Sequence, residues 1–309
     1  YSMELGEKIE VVLFRFDPST DKQPRYETYE VPYRSKMRVL GALESVAEEQ
    51  GIEFAFRYYC GNNRCGTCGV KVNGVPVLAC WEPVQPRMVI QPLDNFTIVK
   101  DLVVNLDELR EAIERLNPRI VRKKPYPGFP ENITHEEMKH VFKLMDCIEC
   151  GLCTSACPAV SVMGLKEFAG PAAYVKLAMK VLDPRDEGER AHLIVDNGIF
   201  CCTSCLRCGA VCPQDIDPFL DAIEPLKRLT VAEEVYKRSR VFTAFEEAIL
   251  ESGDVNPIVL VRKIKGLRMV TELPKGLRML AKGILPIKQP PNPGLDEIKK
   301  TIEAARRQK

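Results

Sequence analysis

The chain has 309 residues, of which 45% are hydrophobic and 28% charged, and its formal net charge is +1. This length predicts more than one domain, and the composition excludes a disordered chain, a collagen and a coiled-coil rod. The near-neutral charge argues against binding a polyanion by bulk electrostatics, and no apolar stretch approaches the roughly 18 residues that a membrane span needs. The outlying feature is 13 cysteines beside 3 histidines.

The N-terminal third predicts strands around one helix. Ile9–Phe16 alternates between apolar and polar residues, as a half-buried strand does, and Gly69–Asn73 and Val75–Ala79 predict two more short strands. Lys36–Gln50 predicts a helix, because its apolar residues recur at helical spacing: Met37, Leu40, Leu43 and Ala47.

The first group of cysteines follows that helix. Four residues separate its first two members, two separate the next pair, and eleven separate the last pair, which are Cys60, Cys65, Cys68 and Cys80. This is the plant-type ferredoxin spacing for a [2Fe–2S] cluster. Gly61, Gly66 and Gly69 allow the backbone to approach the sulfurs closely. A zinc site is the alternative.

The second and third groups repeat one pattern. Each is a C-x2-C-x2-C-x3-C-P run, typical of two-cluster bacterial ferredoxins, in which the fourth cysteine serves the other cluster. We therefore predict that one [4Fe–4S] cluster is held by Cys147, Cys150, Cys153 and Cys212, and the other by Cys157, Cys202, Cys205 and Cys208. Zinc is again the alternative. Disulfides are not expected in a long chain without an export signal.

Other residues that could bind a metal or react chemically are not needed by these clusters. Cys201 is left over and is expected to be a small buried apolar residue. His135, His140 and His192 lie outside the cysteine runs, and the first two are expected at the surface. The chain has neither the Cys-x3-Cys-x2-Cys spacing of radical chemistry nor a Gly-x-Gly-x-x-Gly run for a nucleotide.

These residues resemble the iron–sulfur subunits of succinate dehydrogenases and fumarate reductases. The resemblance covers about residues 8–220 and includes three further motifs, Arg15-Phe16-Asp17-Pro18, Gly170-Pro171-Ala172-Ala173 and Asp183-Pro184-Arg185-Asp186. It implies an electron-transfer subunit without catalytic residues of its own. Electrons would come from a flavoprotein subunit bearing FAD, enter at [2Fe–2S], and leave for an acceptor elsewhere.

Two departures from that family are visible. Most members have an aliphatic residue where Cys205 stands, and their third cluster is [3Fe–4S]; the thiol here predicts [4Fe–4S]. Quinone-linked members have a tryptophan shortly after the residue matching Pro158 and a histidine where Thr203 stands. Trp81 is the only tryptophan of this chain, so the resemblance does not extend to the usual quinone pocket.

The C-terminal part carries a concentration of positive charge. Residues 261–309 contain 13 Lys or Arg against 4 Asp or Glu, which leaves the rest of the chain at −8. The sequence Lys-Gly-Leu-Arg-Met occurs at 265 and again at 275. This tail resembles that of the small iron–sulfur subunit of heterodisulfide reductases, which implies a cysteine-rich (CCG-type) partner subunit. A solvated helix face and a basic surface on anionic lipid are the alternatives. Nucleic-acid binding is not expected, because the tail lacks aromatic stacking residues.

The sequence thus predicts an α+β protein: a plant-type ferredoxin β-grasp domain, an all-α two-cluster domain and a helical extension. We expect the first domain at 1–106, a linker with a short helix Asp107–Leu116 at 107–133, the helical domain at 134–230 and the extension at 231–309, with helices over 231–253 and 294–307. Thr134 predicts a capping box, and Pro171 the first turn of a helix ending near Leu182.

The expected location is the cytoplasm, either free or on the cytoplasmic face of a membrane, because Glu4, Glu7 and Glu10 fall where a signal peptide would be apolar. The leading functional hypothesis is an electron relay between a flavoprotein and a CCG-type partner. The alternatives are the iron–sulfur subunit of a membrane-docked succinate:quinone oxidoreductase and a free-standing electron carrier.

Overall fold

The computed structural model describes residues 4–233, 240–255, 260–263, 276, 278–279 and 292–307. The chain divides into two units, 1–230 and 231–309. The first unit contains a mixed sheet followed by helices. Its strands are β1 (Lys8–Arg15), β2 (Arg25–Pro32), β3 (Gly69–Val72), β4 (Val75–Leu78), β5 (Arg87–Gln91), β6 (Ile98–Lys100) and β7 (Val103–Val104).

Five of these strands form one sheet in the order β2-β1-β5-β3-β4, and β6 and β7 form a second. β1 is antiparallel to β2 and parallel to β5. Its alternate residues Ile9, Val11 and Leu13 are fully buried, as the alternation in sequence predicts. Asn73 and Gly74 connect β3 to β4 with positive φ values of 48° and 87°, which suits a two-residue hairpin turn.

The helix preceding the first cysteine group differs from its prediction. It is α-helical over α1 (Val39–Glu44) and continues as a π-helical turn over Ser45–Glu49, where Gln50 N–H donates to the Ser45 carbonyl. The wider turn rotates the buried face by about one residue. Val46 is therefore fully buried, whereas Ala47, predicted to face the core, is only half-buried.

The rest of the first unit is helical. Its helices are α2 (Asp107–Arg115), α3 (His135–Met145), α4 (Leu152–Ser155), α5 (Pro158–Glu167), α6 (Pro171–Val181), α7 (Ala191–Asp196), α8 (Arg207–Ala210) and α9 (Glu224–Ala232), with a 3-10 turn at Ile199–Cys201 and a π-helical turn at Pro218–Ile223. Thr134 forms the predicted capping box with Glu137. Pro158 and Pro171 occupy first turns, where no N–H is required.

The predicted linker is held against the helices by buried charges within this unit. Arg190 donates through Nη1 to the Asn117 carbonyl at 2.8 Å and pairs with Asp186 at 3.0 Å. Both side chains are almost completely buried. The Asp183-Pro184-Arg185-Asp186 motif therefore lies where the chain between α2 and α3 is fastened.

In the second unit, the structure describes α10 (Arg240–Ser252) and α11 (Leu295–Arg307). The helix predicted over 231–253 corresponds to the end of α9 and to α10, and residues 234–239 lie outside the described residues. The second Lys-Gly-Leu-Arg-Met segment is described only at Gly276 and 278–279, and all of the first, 265–269, lies outside the described residues. Among the described helices, none combines the length and apolar character that crossing a membrane requires.

Candidate iron–sulfur sites

The first site is a loop that folds around the thiol of Cys60. The backbone N–H groups of Asn62, Arg64 and Cys65 donate to Cys60 Sγ over 3.5, 3.4 and 3.3 Å. Gly61 and Asn63 adopt positive φ values of 67° and 62°, which turns these N–H groups inward. The donation, led by Asn62 and Arg64, lowers the pKa of Cys60 to about 6. The loop therefore stabilises a thiolate before any metal is considered.

The other three cysteines of this group lie around the same point. Cys68 lies close to Cys80 and to Cys65. Cys68 and Cys80 are buried, and Cys60 and Cys65 are half-buried. Burial raises the pKa of Cys68 to about 12. The structure thus brings all four predicted cysteines together, two toward the surface and two toward the sheet.

A second site is a cavity between α4, α6 and the segment after α8. Its thiols are those predicted for the first [4Fe–4S] cluster: Cys147, Cys150, Cys153 and Cys212. Ala172 and Val175 of α6 form part of its apolar wall. Burial raises the pKa of Cys150 to about 12 and that of Cys153 well above the usual range.

A third site is a cavity between the start of α5, the segment leading into α8 and the π-helical turn at 218–223. Its thiols are those predicted for the second [4Fe–4S] cluster: Cys157, Cys202, Cys205 and Cys208. Phe168, Phe219 and Ile223 contribute apolar wall. Each run therefore sends its fourth cysteine to the cavity of the other run, as the repeat predicts. Of the 13 cysteines, Cys205 alone is exposed.

The two runs also share a backbone conformation. Glu149 and Ser204, each just before the second cysteine of its run, have φ values of 55° and 57°. Gly151 and Leu206, each just after that cysteine, have φ values of 79° and 61°. A Cβ on Gly151 would lie 3.2 Å from the ring of Phe96, whereas Leu206 is 46% exposed. Glycine is needed at position 151, where the first run packs against Phe96. In the second run, Leu206 covers the third site despite a backbone strain of about 1–2 kcal/mol.

The first and second sites adjoin each other at Gly66. A Cβ atom at this position would lie 2.8 Å from the Ile148 carbonyl oxygen and 3.1 Å from Cys150 Cβ. Gly66 also has a φ of 70°, which favours glycine. The loop carrying Cys65 and Cys68 therefore rests directly on the cysteine run that begins at Cys147.

A pair of hydrogen bonds joins the same two sites on another side. Asn63 Nδ2 donates to the Pro213 carbonyl at 3.1 Å, and Gln214 Nε2 donates to the Asn63 carbonyl at 2.9 Å. Pro213 immediately follows Cys212. The sequence did not predict this pair of hydrogen bonds, which we call the Asn63 clasp, because Asn63 and Gln214 are ordinary polar residues whose pairing is visible only in three dimensions.

The second and third sites are joined through α4. This helix carries Cys153 and is followed by Cys157, so one short segment supplies a thiol to each cavity. Asn95 Nδ2 donates to the Thr154 carbonyl at 2.8 Å and to the Cys157 carbonyl at 3.2 Å, which fastens this segment to the loop after β5. The three sites form a continuous series.

The donor sets fit iron–sulfur clusters. Thiol sulfur is the soft ligand that iron–sulfur cores prefer, and each site has four thiols. Within the described residues, no group of three or more His, Cys, Asp and Glu is arranged to hold a single metal ion. Burial raises the pKa of Cys150 in one cavity and that of Cys208 in the other to about 12, so binding of a metal cluster would have to supply the free energy that ionises these two thiols.

The remaining candidates lie apart from the three sites. Cys201 lines neither cysteine cavity and packs, half-buried, against the core. His135, His140 and His192 are exposed.

Two domain families match separate parts of the chain. Residues 10–111 match a family described as a 2Fe-2S iron-sulfur cluster binding domain. Residues 143–216 match a family described as a 4Fe-4S dicluster domain. The matches coincide with the sheet and with the four-thiol cavities, respectively.

Individual proteins of other organisms match about two thirds to three quarters of this chain. One subunit of the fumarate reductase (CoM/CoB) of Methanothermobacter marburgensis is 36% identical over 73% of this chain and 45% of its own length. The fumarate reductase iron-sulfur subunit of Haemophilus influenzae is 34% identical over 67% of this chain and 88% of its own length. That of Escherichia coli O6:H1 is 36% identical over 68% and 88%, respectively. The chain thus matches less than half of the first relative and most of the other two.

A solved structure supports the architecture. A chain of the Mycobacterium smegmatis Sdh1 complex in the apo form superposes with a TM-score of 0.69 at 23% identity, over 74% of this chain and 98% of that chain. At this identity the likeness concerns the fold, an N-terminal sheet followed by helices.

Proposed function

Since this chain belongs to the family of succinate dehydrogenase and fumarate reductase iron–sulfur subunits, we propose that it relays electrons between a flavoprotein subunit bearing FAD and a heterodisulfide-reductase-like, CCG-type subunit. The relay would use one [2Fe–2S] and two [4Fe–4S] clusters, with Cys60, Cys65, Cys68 and Cys80 holding the first. The β-grasp of a plant-type ferredoxin is our proposal for the sheet around that cluster.

One observation carries the proposal. The fourth cysteine of each run lies in the cavity of the other run, so that two sets of four thiols stand side by side. This crossing suits two cubane clusters and is not required by single zinc ions. Cys212 and Cys157 would thus complete the first and second [4Fe–4S] sites.

The roles of the chain are to hold, separate and shield these groups. When bound, each cluster accepts and passes one electron at a time. The N–H groups around Cys60 stabilise negative charge at the first site. Gly66 permits the closest approach of the first site to the second. Leu206 covers the third cavity from the outside. No residue of this chain is assigned a catalytic role.

We place the electron exit at the third site, because Cys205 and Leu206 are exposed there. The CCG-type acceptor is supported by the likeness of the basic tail and by the relative named for CoM/CoB, of which this chain matches 45%. A thiol-rich chain with reduced cysteines also suits a cytoplasmic location.

Acceptor specificity tests this proposal. The complex purified anaerobically with its natural subunits is reduced with succinate, or oxidised with fumarate, in the presence of either quinones or thiol/disulfide couples. Turnover with a thiol/disulfide couple and a co-purifying CCG-type subunit supports the proposal. Turnover with quinone in the absence of such a subunit contradicts it and favours the succinate:quinone alternative.

The third alternative, a free-standing carrier, makes a different prediction for the same preparation. A relay subunit should co-purify with its flavoprotein at constant stoichiometry through gel filtration. A chain that elutes as a monomer, with its clusters intact and no flavin, would indicate a free carrier.

A further inference from the structure

Each four-thiol cavity has a lysine bound to the first cysteine of its run. Lys176 of α6 donates through Nζ to the Cys147 carbonyl at 2.9 Å. Lys227 of α9 donates through Nζ to the Cys202 carbonyl at 3.2 Å. The two lysines come from unrelated parts of the sequence, yet they occupy corresponding positions in the repeat. Each brings one positive charge to the edge of its cavity.

The two lysines differ in their partners. Lys176 also forms an ion pair of 2.8 Å with Glu149, and its side chain is only 14% exposed. Lys227 lies over the rings of Phe200 and Phe219 at 6.0 and 5.6 Å, and no carboxylate among the described residues pairs with it.

The carboxylate of Asp217 lies near the third site but does not pair with Lys227. Asp217 Oδ1 accepts the N–H groups of Phe219 and Leu220 and caps the turn that follows. The same carboxylate lies against Gly209. It is thus committed to the backbone and is not an ion-pair partner of Lys227.

The difference between the sites comes from one position of the repeat. Glu149 and Ser204 both precede the second cysteine of their run, and their φ values of 55° and 57° are nearly equal. The two positions thus correspond in the repeat and share a left-handed backbone. A glutamate meets its lysine at the first cavity, whereas serine is too short to do so at the second.

We propose that Glu149 is a positioning residue that lowers the reduction potential of the first [4Fe–4S] cluster by pairing with Lys176. The inference rests on the proposed function, since it requires clusters in both cavities. Reduction adds negative charge to a cluster, so a nearby ammonium group raises its potential. Glu149 offsets that ammonium, whereas with Ser204 at the corresponding position no carboxylate of the described part of the chain forms an ion pair with Lys227.

Reciprocal substitutions test this inference. In the full chain carrying its clusters, Glu149→Gln removes the carboxylate at the first cavity, and Ser204→Glu adds one at the second. Redox titration followed by electron paramagnetic resonance then gives the midpoint potential of each cluster. We expect Glu149→Gln to raise the potential of the first cluster by about 59 mV, a tenfold change in the one-electron equilibrium constant, and to leave the second in place.

The reciprocal variant should act with the opposite sign. Ser204→Glu should lower the potential of the second cluster by a similar amount and leave the first unchanged. Because Ser204 is exposed, this variant is expected to fold even if a change beside Cys150 disturbs the first site. Equal shifts of both clusters in either variant would contradict the inference.

A double-mutant cycle separates the charge effect from a structural one. Lys176→Gln should lower the potential of the first cluster, and the Lys176→Gln, Glu149→Gln double variant should return it close to the wild-type value. Potentials that stay unchanged in protein with full iron content overturn the inference alone. Wild-type protein without two [4Fe–4S] clusters would overturn the proposed function itself.

Discussion

Gly66 and Cys150 are in direct contact, since a Cβ on the glycine would lie 3.1 Å from the Cβ of the cysteine. The contact links a loop of the sheet region to the cysteine run proposed to hold the first [4Fe–4S] cluster, and the two residues are 84 positions apart in the sequence. Electron transfer between two clusters weakens with distance, so a spacer at this point should slow the relay.

Gly66→Ala should therefore reduce both stability and communication between the first two clusters. The left-handed backbone adds about 1–2 kcal/mol of strain, and overpacking against Ile148 adds about 1–3 kcal/mol. Thermal melting measures the loss of stability, and the magnetic interaction between the two reduced clusters measures the loss of communication. Gly61→Ala is the matched control, because Gly61 has a φ of 67° and nothing within 4 Å of an added Cβ. Equal loss of magnetic interaction in both variants would contradict this account.

The clasp at Asn63 should contribute a smaller share of stability. Asn63→Gly keeps the left-handed conformation but removes the donor to the Pro213 carbonyl, which should lower the free energy of unfolding by about 1 kcal/mol. Asn63→Ala loses the same hydrogen bond and adds backbone strain, so it should be destabilised further. Thermal melts of the two variants give the order. An alanine variant as stable as the glycine variant would contradict a left-handed backbone at position 63 in the folded chain.

The charged carboxylate of Glu187 holds the linker between α2 and α3 by accepting hydrogen bonds from its backbone. Its carboxylate accepts the N–H groups of Lys123 and Lys124 at 2.7 and 2.9 Å, and donation from Lys124 and Lys123 lowers the pKa of Glu187 to about 2 from 4.5. The folded pKa is depressed, so the contribution is present above pH 4.5 and is lost as the pH falls toward 2.

Glu187→Gln mimics that loss at neutral pH. Hydrogen exchange at the N–H groups of Lys123 and Lys124 should become faster, because the neutral amide oxygen is a weaker acceptor of these two groups. Glu189→Gln removes only the exposed pair with Lys123 and should leave exchange in the backbone unchanged. If the two variants exchange alike, the segment is held by other contacts.

Much of the architecture follows from spacing in the sequence. Cysteine intervals predict which thiols gather, because a short run can wrap only one core and the proline after Cys157 or Cys212 redirects the chain. The structure gathers the same two sets of four. Apolar alternation likewise predicts β1, and Thr134 predicts the start of α3.

Other features depend on contacts that no local pattern encodes. The π-helical turn at Ser45–Glu49 shifts the buried face by one residue, and the apolar residues on both sides fit either register. Lys176 and Lys227 belong to no sequence motif, and only the fold places each on a cysteine carbonyl. The role proposed for Glu149 in setting a reduction potential likewise emerges only when the two runs are compared in the structure.

The thiol of Cys205, which we propose as a ligand of the second [4Fe–4S] cluster, is the most direct point of test. Four thiols at the third site predict about ten irons per chain in total and no [3Fe–4S] signal from the oxidised protein. Cys205→Ala should lose about one iron and gain that signal, because one corner of the cubane loses its thiolate. Cys201→Ala is the control and should change neither quantity.

Electron paramagnetic resonance of the oxidised, anaerobically purified wild-type protein, together with its iron content, is therefore the decisive measurement. We expect about ten irons and a silent [3Fe–4S] region, which Cys205→Ala converts to a strong signal. A wild-type protein that already shows the [3Fe–4S] signal, or that contains zinc in place of iron, would contradict the three-cluster relay.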